Sequence, residues 1–216
     1  VGGGEGSQIG FTHRAAAQLD CHFYFDAGAL DIDTEKSKSF GRKLGLTDQK
    51  SYGSWEEMLE KEKKINKEKR LDLVTVATPN STHFEITKSF LKEDFNVLCE
   101  KPLTMTVEQA QELVKISKNM GKICAVNYGY TGYPLVRQMR SMIMNGDLGD
   151  IRLVFAEFAG GFMADDSDAQ NPRVKWRFSA KHAGMAAITI DCGIHALNMA
   201  CFVTDKKIVK VSSDFF

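Results

Sequence analysis

The sequence predicts an α/β fold, a doubly wound parallel sheet that leads into a second unit of different build. Three observations carry this. Short apolar runs at Leu71 to Ala77, Phe95 to Cys99 and Ile123 to Asn127 alternate with stretches of helical period, the rhythm that builds parallel sheets. A glycine-dense stretch, Val1 to Gly10, opens the first helical segment. After Asn127 the rhythm changes to a tyrosine- and glycine-rich connector.

The totals agree with an ordinary globular chain. Its 216 residues suit one large domain or one and a half, and 43% are hydrophobic and 26% charged. Lys plus Arg equals Asp plus Glu at 28 each, so no net field favours nucleic acid or an anionic membrane. No apolar run approaches the ~20 residues of a membrane helix, and no signal peptide is visible. Cys21, Cys99, Cys124, Cys192 and Cys201 are scattered without a C-x-x-C pair, which suits free thiols in a reducing, cytoplasmic setting. The His, Asp and Cys spacings form no metal site.

Taken in order, Gly2-Gly3-Gly4-Glu5-Gly6 lets the backbone turn tightly and lets N–H groups approach a pyrophosphate. A helix is expected over Ser7 to Leu19, with Ile9 inward and Gly10 where helix and strand pack closely. The spacing is one residue longer than G-x-G-x-x-G, and Val1 is all that stands for the strand that should precede it, so a truncated N-terminus is expected. Cys21 to Leu30 reads as the second strand, ending at Asp31-Ile32-Asp33. Asp31, about 20 residues past the glycines, suits the ribose hydroxyls of an adenosine and repels a 2′-phosphate, favouring NAD over NADP. One of Asp31 and Asp33 is expected to cap the helix Thr34 to Leu44, which Gly45 ends. Ser54 opens a helix from Trp55 to about Lys67, with Trp55, Met58 and Leu59 inward; the mixed charges of Lys61 to Arg70 read as a solvated face.

Leu71 to Ala77 is a buried strand stopped by Pro79. Asn80 or Ser81 is expected to cap the helix running to Leu91, and the polar groups of Thr78-Pro79-Asn80-Ser81-Thr82-His83 stand at a strand's carboxyl end, where cofactors bind. Phe95 to Cys99 leads to Glu100-Lys101-Pro102-Leu103. Pro102 stiffens that turn and keeps Lys101 out of the helical region, which aims an ammonium into a cleft. From these residues alone, a solvated lysine in an ordinary turn is the better reading of Lys101. Helix Val107 to Met120 and strand Ile123 to Asn127 follow. Beyond the connector, a helix is expected from Leu135 to Asn145, a strand from Ile151 to Ala159 broken by Gly160-Gly161, a polar loop from Asp165 to Val174, a helix through Phe202 and a strand from Ile208 to Phe216. Asp191 and His195 are four apart and would share a helix face, as a capping pair also does. So small a second sheet cannot stand alone, and a missing C-terminal part is expected.

Together these residues resemble the Gfo/Idh/MocA family of NAD(P)-dependent oxidoreductases. The resemblance runs, in order, through Ile9-Gly10-x-x-His13-Arg14, Thr78-Pro79-Asn80-x-x-His83, Glu100-Lys101-Pro102-Leu103 and Asp191-x-Gly193-x-His195. It implies a Rossmann domain over 1–127 and, from 128 to 216, the start of an α+β domain with an open, mainly antiparallel sheet whose outer face mediates dimers or tetramers. It implies NAD, with NADP possible, held by Gly4, Gly6, Ser7, Gln8, Ile9, Asp31, Thr78, Pro79, Asn80, His83, Glu100 and Lys101. It also implies a sugar, cyclitol or other polyol substrate. Two departures stand out. A single glycine precedes Asp191 where the family has a cluster, and Asn198 replaces an aspartate three residues after the histidine.

The reaction so implied passes a hydride between nicotinamide and a ring carbon and needs a base for the alcohol proton. His195 titrates near neutrality and suits that role. Lys101 would hydrogen-bond the same oxygen. Asp191 would tune the histidine or bind a neighbouring hydroxyl, and Asn127, Tyr128, Trp176 and Arg177 would line the sugar. His13 and His182 have no role in the chemistry, and His83 orders the cofactor loop. A non-catalytic cofactor sensor on the same fold and a dehydrogenase of a non-sugar substrate are the alternatives.

Overall fold

Five short parallel strands follow from the apolar runs, and the structure, a computed structural model, describes residues 1–159, 165–171, 174–184, 186 and 189–214. Strand β1 (Gly28–Ala29) pairs with β2 (Ser51–Tyr52), and β3 (Leu73–Val76) pairs with β4 (Asn96–Glu100), which pairs with β5 (Cys124–Asn127), all parallel. Val1 and Gly2 join the two groups. The Gly2 N–H donates to the Ala29 carbonyl at 2.8 Å, the Ala77 N–H donates to the Val1 carbonyl at 2.9 Å, and Gly2 bridges Ala77 in parallel. The order across the molecule is therefore β2, β1, Val1–Gly2, β3, β4, β5. The chain works outward on one side and then returns to start β3 on the other. In such sheets ligands bind where the order reverses, outside the carboxyl ends.

Helices α1 (Gln8–Leu19), α2 (Thr34–Lys43), α3 (Trp55–Glu62), α4 (His83–Lys92) and α5 (Val107–Met120) supply the crossovers. Their ends are written locally. The side chains of Ser7, Asp33, Ser54 and Thr106 each accept an N–H of the first turn, and Gly121 closes α5 in the left-handed region at φ 60°. Helix α4 turns Phe84, Thr87, Phe90 and Leu91 toward the sheet, where Val74, Val76, Val97 and Cys99 are buried to 2% exposure or less. Phe90 meets Phe95 edge to face, centroids 5.6 Å apart. Each such side chain contributes about 1.5–3 kcal/mol by leaving water. Helices α6 (Pro134–Met144), α7 (Ala180–Ala183) and α8 (Ile194–Thr204) follow the sheet, with α6 against α8.

Several elements depart from the sequence reading. The strand expected over Cys21 to Leu30 shrinks to Gly28–Ala29, because only these residues find a ladder; Cys21 turns at φ 56° and Phe23 and Tyr24 are exposed. Helix α3 stops at Glu62, five residues early, as Asn66 gathers its own turn by accepting from Glu68 N–H and Arg70 N–H. Ile9 faces outward at 38% exposure; the buried contact of α1 is Gly10. Neither Asn80 nor Ser81 caps α4 through its side chain. Residues 151–159 and 208–214, expected as strands, form no ladder among the described residues and are mostly exposed. The expected break at Gly160-Gly161 and the final Phe215 and Phe216 lie outside the described residues.

Candidate active site

The glycine loop sits where the strand order reverses. Gly10 packs so tightly on Gly3 that a Cβ on it would lie 2.4 Å from the Gly3 Cα, and a Cβ on Gly4 would lie 2.5 Å from the Leu30 carbonyl oxygen. Arg14 Nη1 donates to the Gly3 carbonyl at 2.9 Å and its guanidinium lies near the rings of Phe25 and Phe40. Ser7 Oγ accepts from the Gly10 N–H, while the Gln8 and Ile9 N–H groups have no acceptor among the described residues. A helix start with free N–H groups beside a loop too close for side chains fits a pyrophosphate. Asp33 takes the capping role on α2. That leaves Asp31 at the end of β1, one oxygen accepting from the Asp33 N–H at 2.9 Å and the other lying 3.4 Å from where a Gly4 Cβ would stand.

The next two strand ends carry the Thr78 loop and the Lys101 turn, and His83 ties them together. This ring is 1% exposed, with Nδ1 2.6 Å from the Pro102 carbonyl and Nε2 2.8 Å from the Thr78 carbonyl. Burial pulls the imidazole below its ordinary pKa, against the raising pull of the two carbonyls and Glu100. A neutral ring donates to one carbonyl, the imidazolium to both. Asn80 and Ser81 reach the second half of the chain instead of capping: Asn80 Nδ2 donates to the Ala183 carbonyl at 3.2 Å, and Ser81 Oγ lies 3.4 Å from His182 Nδ1.

Lys101, whose peptide bond to Pro102 is cis, projects toward α8. Its Nζ donates to Asp191 Oδ1 at 2.6 Å and to the Asp191 carbonyl at 2.7 Å. Arg177 Nε donates to the other carboxylate oxygen at 2.8 Å. Burial raises the Asp191 carboxyl, but the two cations, Lys101 first, outweigh it and hold the group below its usual range. Asp191 lies in a wide turn, Thr189–Gly193, just before α8, so it joins Lys101 and Arg177 and makes no hydrogen bond to His195. Its expected tuning of the histidine is therefore not by direct contact. His195 sits among aromatic rings, Tyr130 at 4.7 Å, Phe158 stacked at 5.5 Å and Tyr128 at 6.4 Å between centroids. Burial and the Lys101 charge lower its pKa, which favours the neutral ring.

Other expected site residues are used differently. Glu100 is 8% exposed and fully engaged: His13 Nε2 at 2.7 Å and Asn127 Nδ2 at 2.6 Å share Oε1, and the Lys101 N–H reaches Oε2 at 3.3 Å. Asn127, expected on the sugar wall, thus gives its amide N–H to Glu100. Tyr128 is half-buried, and Trp176 stacks with the Arg177 guanidinium, 4.4 Å from ring centroid to Cζ. The roles of His13, Tyr130 and Phe158 were missed; His13 could have been found from its place three residues after Gly10, on the same helix face. Among the described residues no group of three His, Cys, Asp or Glu side chains could hold a metal ion, and no helix is long and apolar enough to cross a membrane.

Comparison with known proteins gives two family matches. Residues 1–128 match an oxidoreductase family with an NAD-binding Rossmann fold, and residues 136–216 match the GFO/IDH/MocA C-terminal domain. A solved inositol dehydrogenase homologue from Azotobacter vinelandii, complexed with NAD+, is 40% identical with a TM-score of 0.89 over 94% of this chain and 51% of its own. The homologue complexed with NADH and myo-inositol, from the same organism, is 39% identical with a TM-score of 0.84 over 94% and 50%. Among curated relatives, the uncharacterized oxidoreductase YfiI of Bacillus subtilis (strain 168) is 38% identical over 212 residues, 97% of this chain and 53% of that protein. The chain spans about half the length of these curated relatives, 53% of YfiI and 50% of a levoglucosan dehydrogenase from Pseudarthrobacter phenanthrenivorans.

Proposed function

Since the chain belongs to the Gfo/Idh/MocA family of oxidoreductases, we propose that it is an NAD-dependent dehydrogenase acting on a ring alcohol of a cyclitol or sugar. The observation that carries this is the Lys101–Asp191 contact at 2.6 Å, at the carboxyl end of a parallel strand, with His195 one turn of chain away. The glycine loop and the α1 start would hold the cofactor, with Asp31 on the adenosine ribose. A bound nicotinamide would supply the acceptor for the hydride of the carbinol carbon. His195, neutral at physiological pH, takes the hydroxyl proton. Lys101 donates to the same oxygen and favours its anionic form. Asp191 holds the ammonium until a substrate hydroxyl competes for it, and Arg177 keeps Asp191 ionised. Tyr128, Trp176 and Arg177 face the sugar ring.

Asp31 favours NAD, in keeping with the NAD+ and NADH bound in the two inositol dehydrogenase homologue structures, although a D-xylose 1-dehydrogenase (NADP(+)) is also a relative. The unit boundary falls near 127 and 128, the protein assembles as a dimer or tetramer, and its free cysteines suit the cytoplasm. The test is calorimetric titration of NAD and NADP separately, followed by a panel of cyclitols and sugars read at the reduced nicotinamide band. NAD binding with turnover of one member is expected. Binding without turnover on any polyol would overturn the dehydrogenase reading, and no binding of either cofactor would overturn the glycine-loop assignment.

A further inference from the structure

A carboxylate buried to 8% exposure is costly unless its lone pairs are met, and Glu100 is met from three elements. Helix α1 supplies His13 Nε2 at 2.7 Å, β5 supplies Asn127 Nδ2 at 2.6 Å, and the turn after β4 supplies the Lys101 N–H at 3.3 Å. The β4–β5 register sets Glu100 and Asn127 directly side by side, so the Asn127 bond needs no detour. The ladder already holds these strands together, and an apolar pair would do so without the cost of burying charge. What the carboxylate adds is direction. One oxygen is pinned by α1 and β5 while the other is aimed at the backbone of Lys101, whose side chain then reaches Asp191. Gly10, three residues before His13, seats the same face of α1 on Gly3.

We propose that His13, Glu100 and Asn127 form a positioning unit that fixes the Lys101 backbone and makes the aim of its ammonium depend on the seating of α1, the helix that carries the glycine loop. The proposal rests on the reading of Lys101 as the reactive lysine of a dehydrogenase. The three residues act through Lys101 and touch no reacting atom.

The experiment compares wild type with His13→Ala, Glu100→Gln and the conservative His13→Gln, whose amide can replace the ring N–H. Three quantities are read: NAD affinity by calorimetry, kcat with myo-inositol as the probe polyol, and the rate at which acetic anhydride acylates Lys101 in cofactor-free protein, by peptide mass spectrometry. His13→Ala and Glu100→Gln are expected to lower kcat on the order of tenfold to a hundredfold, the scale of a small misplacement at the reacting centre. NAD affinity is expected to change less than about threefold, under half the free energy of a tenfold change. Lys101 acylation should rise severalfold, and His13→Gln should recover most of the kcat and bring acylation back toward the wild-type rate. In Glu100→Gln the acid limb of kcat/KM should also move to lower pH, because the Glu100 charge raises the His195 titration. Unchanged kcat and acylation, or a fall in kcat matched by an equal fall in NAD affinity, would overturn the proposal. A wild type without polyol turnover counts against the dehydrogenase reading alone, and the acylation rates then decide the positioning unit.

Discussion

Asp191→Asn removes a carboxylate that contacts both Lys101 and Arg177, and its effect can be worked from the geometry. Lys101 Nζ lies 2.6 Å and Arg177 Nε 2.8 Å from the two oxygens, and the three side chains are 15%, 26% and 14% exposed for Lys101, Arg177 and Asp191. Breaking a fully buried pair costs about 3–5 kcal/mol. Here the residual exposure lets water reach the Lys101 ammonium, and the amide oxygen still accepts one bond, so about 2 kcal/mol is expected. At this chain length that corresponds to a Tm lowered by roughly 4–8 °C. The pH dependence gives the sign. The folded-state pKa of Asp191 is depressed, so its contribution is complete above the unfolded-state value of about 4 and is lost as the pH falls through the folded-state value. Thermal unfolding of both proteins at pH 7 and near pH 3 should therefore show a wide gap at pH 7 that narrows in acid. Equal melting temperatures at pH 7, or a gap that widens in acid, would refute the ion-pair reasoning.

Three further outcomes are expected. Lys101→Ala should reduce turnover on the order of 10²- to 10³-fold, by loss of a donor to the developing alkoxide, while calorimetry finds NAD affinity largely intact. Gly10→Ala drives a Cβ to 2.4 Å from the Gly3 backbone and should weaken NAD binding by about tenfold or more, seen in the same titration, with polyol KM little changed. The acid limb of kcat/KM should fall below the ordinary histidine value of about 6.5, since burial and Lys101 keep His195 neutral to lower pH; Lys101→Met should move that limb upward in a pH-rate profile.

The parallel sheet and its helices were legible because their signals are local. Leu71 to Ala77 and Val107 to Met120 have the right period, and Thr106 and Gly121 mark the ends of α5 within one turn. Lys101 and His195 stood out as candidates through the order of the four family-like motifs, since each motif alone also suits an ordinary turn or a capping pair. Their partnerships did not, because these are set by tertiary approach. Nothing in the spacing of Asp191 and His195 says that the aspartate turns to Lys101, 90 residues back, and to Arg177. Nor does it say that Tyr130 and Phe158 enclose the histidine. Cys21 to Leu30 failed for a related reason: alternation gives a strand only where a neighbour offers a ladder, and just two residues find one.

The docking of Asn80 and Ser81 on Ala183 and His182 spans more than 100 residues of sequence. Contacts of such separation form late in folding, after the cost of closing the loop between them has been met, whereas β3, β4 and β5 pair with sequence neighbours and come together early. The candidate site is thus expected to assemble last, on a sheet already in place. By the same reasoning it should open first when the molecule is warmed, so heat is expected to extinguish activity several degrees before it melts the core.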